Sequence, residues 1–253
     1  MSSVSEYLSG VGKLIKKILD TQAENIQAAA DIFAESIANN RAVYLFGSGH
    51  SAFPVLDIFP RYGSYIGFQP ILDPRLMCNN IIGPGGGREL AWLEKEPGYI
   101  KNVLLSYHLT SKDSMLVFSH SGINAAPVEM ALEAKSKGLK VVAVTSAANY
   151  KINTTKHSSG KLLHDIADIA IDNCSPAEDT LAKIDGIPGG IGAVTTITMC
   201  AIGQSLAVET AEKLVKLGKT PKYVWLHPSV VVPGGNYDDS QVYDAYMEFV
   251  KNL

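Results

Sequence analysis

The chain has 253 residues, is 46% hydrophobic and 19% charged, and carries a formal net charge of −3 with a pI near 6.1. That is the composition of one large α/β domain with appendages, and it lacks the basic stripe a nucleic-acid or anionic-membrane surface needs. Cys78, Cys174 and Cys200 lie far apart, fitting neither a disulfide framework nor a zinc site, and point to a reducing, cytoplasmic setting. The N-terminus shows no apolar signal core, and no run reaches the ~18 apolar residues of a membrane span.

Val4 to Asn39 opens the chain with Leu8, Val11, Leu14, Ile15, Ile18 and Leu19 at helical spacing, then Ile26, Ala30, Phe33 and Ile37. This reads as one or two amphipathic helices, packed on a sheet or on a second copy of the chain. Ala42 to Phe46 is an apolar strand that stops at Gly47-Ser48-Gly49-His50-Ser51, after which an apolar-periodic helix begins. Such a turn brings backbone and the N–H groups of a helix start close to a ligand, and an anion is the natural guest. The turn lacks the third glycine of a dinucleotide fingerprint, because Ala52 to Pro54 stand there, and it has no Gly-Lys-Ser/Thr. A sugar phosphate suits it better than a nucleotide.

Ser64 to Leu72 reads as a second extended run. A glycine loop follows, Gly83 to Gly87, and leads through Arg88 and Glu89 into a helical pattern. Glu89 at such a loop is placed for chemistry. Ser114 to Phe118 is a third strand ending in Ser119-His120-Ser121-Gly122-Ile123-Asn124, with a helix over Ala125 to Lys137. This repeats the first turn, and two such turns on neighbouring parallel strands face one crevice. Lys140 to Thr145 is a fourth strand, a loop with Lys156, His157 and Lys161 follows, and Ala167 to Ile171 is a fifth. A long apolar helix over Ala193 to Lys216 carries Glu209, the tail carries His227, and a last helix spans Asp239 to Val250. Alternating strands and helices predict a parallel sheet with helices on both faces.

The paired turns GSGHS and SHSGIN, the strand VVAVTS, the loop KHSSGKLLHDIADIAIDN and the helix beginning GAVTTIT resemble the sugar isomerase (SIS) domain, over about Asn25 to Val215. The resemblance implies a flavodoxin-like five-stranded parallel sheet in a single SIS domain, with an N-terminal helical segment over 1–39, a core over 40–218 and a tail over 219–253. It further implies a homodimer or higher homo-oligomer that binds a phosphorylated sugar. No metal and no cofactor are expected, because no histidine pair or carboxylate cluster has ligand spacing. Carried over residue by residue, the phosphate cradle falls on Ser51, Ser119, Ser121 and Asn124, with Gly49 and His50 beside it. Asn124 stands where family members commonly have a hydroxyl. His120, Thr145, His157 and Lys161 are supporting candidates.

SIS isomerases interconvert aldoses and ketoses through an enediol, which calls for a carboxylate base and an acid. Glu89 is the first choice of base, since GGGRELAWLEKEPGY resembles the stretch holding the catalytic glutamate of SIS-type N-acetylmuramic acid 6-phosphate etherases. Glu209 and His227 are the alternatives. A lyase of that etherase type and a non-catalytic sugar-phosphate sensor are the other activities the resemblance allows.

Overall fold

The computed structural model describes residues 2–77, 86–221, 224–226 and 239–253. The N-terminal segment is one helix, α1 (Ser3–Ala38), started by the Ser2 side chain accepting the Ser5 N–H at 3.3 Å. From Ile18 onward it buries Ile26, Ala29, Ala30, Phe33 and Ala34 against the sheet. The chain then runs β1 (Val43–Gly47), α2 (Ala52–Ile58), β2 (Phe68–Pro70), a 3-10 turn at Pro74–Leu76, α3 (Gly86–Leu93), α4 (Tyr99–Leu104), β3 (Ser114–Phe118) and α5 (Ala125–Ser136). It continues through β4 (Lys140–Thr145), α6 (Ala147–Tyr150), α7 (Leu163–Ile166), β5 (Ile169–Asp172), β6 (Thr180–Lys183), β7 (Gly190–Ala193), α8 (Thr195–Lys216) and α9 (Asp239–Lys251).

Five strands form one parallel sheet in the order β2-β1-β3-β4-β5. The strands are fully buried in their centres, as strands covered on both faces must be. Their alternation divides the core. Val43, Leu45, Leu116, Phe118, Val142 and Val144 point to α1, α2 and α8, whereas Tyr44, Phe46, Met115, Val117, Val141 and Ala143 point to α4, α5 and α7. The flavodoxin-like five-stranded sheet with helices on both faces and a helical N-terminal extension is therefore present. Its order reverses between β1 and β3, and the crevice beyond their carboxyl ends is where open α/β sheets take ligands.

Three details differ from the sequence reading. The second strand shrinks to Phe68–Pro70, at the sheet edge where a proline is tolerated, while Tyr65 makes a lone antiparallel bridge to Val224. The glycine-rich segment before α8 forms an antiparallel hairpin, β6–β7, pairing Thr180 with Ala193 and Lys183 with Gly190. Gly192, at φ 83°, lets the Tyr7 ring of α1 lie where a Cβ would fall within 2.7 Å of it, and Tyr7 donates its hydroxyl to the Ala193 carbonyl at 2.7 Å. As a result α8 starts at Thr195.

Candidate functional site

β1 ends at Gly47, where a Cβ would lie 1.9 Å from the Ser51 carbonyl oxygen, so the chain folds straight back into α2. The turn is tied to the 3-10 segment by the Gly49 N–H donating to the Leu76 carbonyl at 2.7 Å. β3 ends in the second loop. There the Ser119 hydroxyl oxygen accepts the Gly122 N–H at 3.1 Å, and Gly122 takes a φ of 66°, packed against Leu163 and Thr145. The loop is held from below: the His120 carbonyl accepts the Thr145 hydroxyl at 3.1 Å and the Ser146 N–H at 2.9 Å.

Between these loops lies a cavity of about 300 Å³. It brings together Gly49, His50, Ser51, Ser119, His120, Ser121 and Asn124, all candidates from the sequence. Asn124 is the N-cap residue of α5, yet its side chain makes no capping bond; it is near enough to the Glu94 carboxylate to help lower its value. Hydroxyl and amide donors thus converge from two loops, an arrangement suited to a phosphoryl or carboxylate oxygen.

The carboxylates of the cavity, among the described residues, are Glu94 and Asp179. The residue the sequence points to as base, Glu89, is not among them. Leu90, Ala91 and Glu94 share the face of α3 and its last turn that looks into the cavity, and Glu89 is about 140° around the helix from Glu94. Glu94 reaches in at the point where the helix ends, its N–H still bonded to the Leu90 carbonyl at 3.0 Å. Burial holds its carboxyl above the ordinary value of 4.5, and the Ser48 hydroxyl, donating at 3.2 Å, together with Lys95, Asn124 and Lys156, pulls it only partly back. A carboxyl so placed sits where a proton can be taken and returned.

Asp179 has a left-handed backbone, φ 59°, which turns its carboxylate under the start of α8. Its Oδ1 accepts the N–H groups of Val194 at 3.0 Å and Thr195 at 2.6 Å, and also the Thr195 hydroxyl. It thereby caps a helix whose N-cap position is the apolar Val194. Thr195, Thr196 and Met199 complete this wall of the cavity.

Several expected residues sit elsewhere. Glu209 lies fourteen residues along α8 from Thr195, about 20 Å away, beside Lys213 at 3.9 Å. Thr145 lies beneath the second loop, not in the cavity wall. His157 faces Glu129 at 3.5 Å and accepts the Ser159 N–H through Nδ1, pinning its own loop. Lys161 is exposed outside the lining, and His227 lies outside the described residues. Among the described residues no cluster of three or more metal-ligating side chains converges, and no helix is long and apolar enough to cross a membrane. Burial pushes the Cys174 thiol up and the Cys200 thiol up to about 11, so neither is a thiolate near neutrality.

Glu94, Asp179 and Thr195 were missed. The signals that mark them are the end of an amphipathic turn and a pair of threonines at a helix start; the strain at Asp179 leaves no trace in residue types.

The model of the SIS domain matches residues 6–146. A UPF0309 protein of Halalkalibacterium halodurans is 31% identical over 248 residues, covering 98% of this chain and 99% of its own. Another, of Thermoanaerobacter pseudethanolicus, is 34% identical over 252 residues with the same coverage. Among solved structures, a phosphoheptose isomerase from Francisella tularensis superimposes with a TM-score of 0.55 at 16% identity, covering 84% of this chain and all of that one. At that identity the likeness is one of fold.

Proposed function

The chain belongs to the SIS-domain family, and within it to the UPF0309 proteins, and from that premise we propose that its crevice binds a phosphorylated sugar and catalyses aldose–ketose isomerisation. One observation carries the reading: one cavity is lined by the Ser51, Ser119, Ser121 and Asn124 donors and by a half-buried Glu94 whose carboxyl is held above its ordinary value. Phosphate in the two loops would fix the sugar's end, and Glu94 would move the proton between C1 and C2 through the enediol. The similarity to a structure described as a phosphoheptose isomerase agrees with this choice of substrate class.

The test is incubation with a panel of hexose, heptose, amino-sugar and N-acetylmuramic 6-phosphates in heavy water. One of them should gain deuterium at C2, and an aldose–ketose pair should be the product. An elimination product would replace the isomerase reading with a lyase. No exchange, with thermal stabilisation by one sugar phosphate, would make the protein a sensor.

Two further outcomes are expected. Ser121 is half-buried in the cavity wall, so Ser121→Leu should preserve the fold while removing a hydrogen bond to an anion that is worth about 1.5–3 kcal/mol. Sugar-phosphate affinity should then fall roughly tenfold to a hundredfold in calorimetry. An unchanged affinity would remove the cradle assignment. The working unit should be at least a dimer, because α1 and α8, packed on each other, leave Leu8 62%, Leu19 68% and Val208 69% exposed. Light scattering that returns a monomer at micromolar concentration would contradict this.

A further inference from the structure

The backbone of Glu94 is tied to both sides of the crevice. Its N–H is bonded to the Leu90 carbonyl in α3 at 3.0 Å, and its own carbonyl accepts the N–H of Ala126, in the first turn of α5, at 2.9 Å. Those two bonds place the residue between α3 and the helix that follows the second loop. They leave the side chain to turn about its own torsions. A carboxylate that moves a proton needs a settled direction as well, because a base acts within hydrogen-bond reach of the atom it deprotonates.

The first loop supplies that direction. The Ser48 hydroxyl donates to Glu94 Oε2 at 3.2 Å, and both residues line the cavity. Ser48 is itself half-buried and held by the turn it opens: its carbonyl accepts the Ser51 N–H at 3.1 Å, and the next residue, Gly49, is anchored on the Leu76 carbonyl at 2.7 Å. One short turn therefore has two tasks. Ser51 belongs to the proposed phosphate cradle, and Ser48 is bonded to the base.

We propose that Ser48 is the positioning residue of the base: its hydroxyl holds the Glu94 carboxylate in the orientation that meets the substrate's C2 proton and takes no part in holding the phosphate. The inference rests on the reading of Glu94 as the base of the proposed isomerase. A hydroxyl that donates to a carboxylate favours its ionised form, whereas burial disfavours it, and at Glu94 burial is the larger effect. Ser48 thus offsets part of a cost that the half-buried site imposes, and without it the carboxyl's value rises further. The other charged and titratable groups around Glu94 are Arg88, Glu89 and Lys95 along its own segment, Lys156 on the loop after α6, and His50, His120 and Asp179 in the cavity wall. Glu129 of α5 is engaged by the Gly98 N–H at 2.6 Å. Ser48→Ala leaves all of these in place, so a displaced pH profile reports the lost hydroxyl.

The experiment has two arms. In the first, carbon-13 NMR follows the titration of the Glu94 carboxyl without ligand; Ser48→Ala should move its midpoint to higher pH, and Ser48→Thr, which keeps the hydroxyl, should return it toward wild type. In the second, deuterium exchange at C2 is followed against pH with the sugar phosphate that wild type exchanges, and binding of that compound is measured by calorimetry. Ser48→Ala should lower the limiting exchange rate roughly tenfold, as expected for losing a hydrogen bond to a charged group, and shift the acid limb upward while affinity changes little. Ser48→Thr should recover both rate and limb. An affinity loss with rate and limb unchanged would move Ser48 into the phosphate cradle and overturn its role. A lost rate with an unmoved limb, or one that Ser48→Thr fails to recover, would mean that the loop is disturbed and not the base. If Glu94→Gln abolishes exchange but Ser48→Ala keeps the wild-type rate and profile, this proposal falls and the base reading stands. If wild type exchanges no sugar phosphate, the base reading fails and the role of Ser48 with it, even where the first arm shows the hydrogen bond.

Discussion

Glu94→Gln should lower exchange of the substrate's C2 proton by about 10²–10⁴-fold, the range for losing a positioned general base. Glutamine keeps the size of the side chain and can still accept the Ser48 hydroxyl, now 3.2 Å from Oε2, so binding of the sugar phosphate should change little. The loss should therefore appear in turnover and not in affinity. Glu89→Gln should leave exchange near wild type, because Glu89 sits outside the cavity wall. The reverse pattern would return the role to Glu89 and remove Glu94. The pH profile gives a second check. A base must be ionised to act, so exchange should rise as pH climbs through the Glu94 carboxyl's value in the protein. Since burial holds that value above 4.5, the acid limb should lie above 4.5, and a limb at or below it would mean that another group is the base.

Asp113→Ala should cost about 3–5 kcal/mol of stability without touching the crevice. The Asp113 carboxylate is completely buried at the start of β3 and accepts five hydrogen bonds. Arg41 grips both oxygens, Nε at 2.9 Å and Nη2 at 2.8 Å, while the Ala42 N–H, the Thr110 N–H and the Thr110 hydroxyl take the rest. Arg41 also donates to the backbone carbonyls of His108 and Asn252, so one ion pair joins the first strand, the third and the C-terminal helix. Removing the carboxylate leaves a largely buried guanidinium and two N–H donors without their acceptor. Urea unfolding should show the loss as a lower midpoint at unchanged slope. A change below about 1 kcal/mol would mean that water or another acceptor replaces the carboxylate.

The strands at the centre of the sheet were legible because their composition is sufficient. Val43 to Phe46, Met115 to Phe118 and Val141 to Val144 are unbroken apolar runs ended by glycine, serine or threonine, and a strand buried on both faces needs nothing else. The paired loops were legible for the same reason, since glycine and serine at strand ends have a local cause. The hairpin was not. Thr180 to Ala193 shows no alternation of apolar and polar residues, and its pairing depends on Gly190 and Gly192 yielding space to Thr180 and to the Tyr7 ring, the latter far away in sequence. Glu89 and Glu94 could not be separated either. Both belong to one helical turn pattern, and only the direction in which α3 enters the fold decides which carboxylate meets the cavity.

The hairpin also says how the chain can be altered. Its two ends, Asp179 and Val194–Thr195, are stitched together by the Asp179 carboxylate, so the wall of the crevice is closed before the tip begins. The tip itself, with Ile184 and Ile187 exposed, stands clear of that closure. Lengthening a loop costs little, about 0.6 kcal/mol for each doubling, and here the added chain would hang from a seam that is already sewn. Natural insertions, a fluorophore or a grafted peptide therefore have an address at Asp185-Gly186, where the protein can vary its outline without rewriting its chemistry.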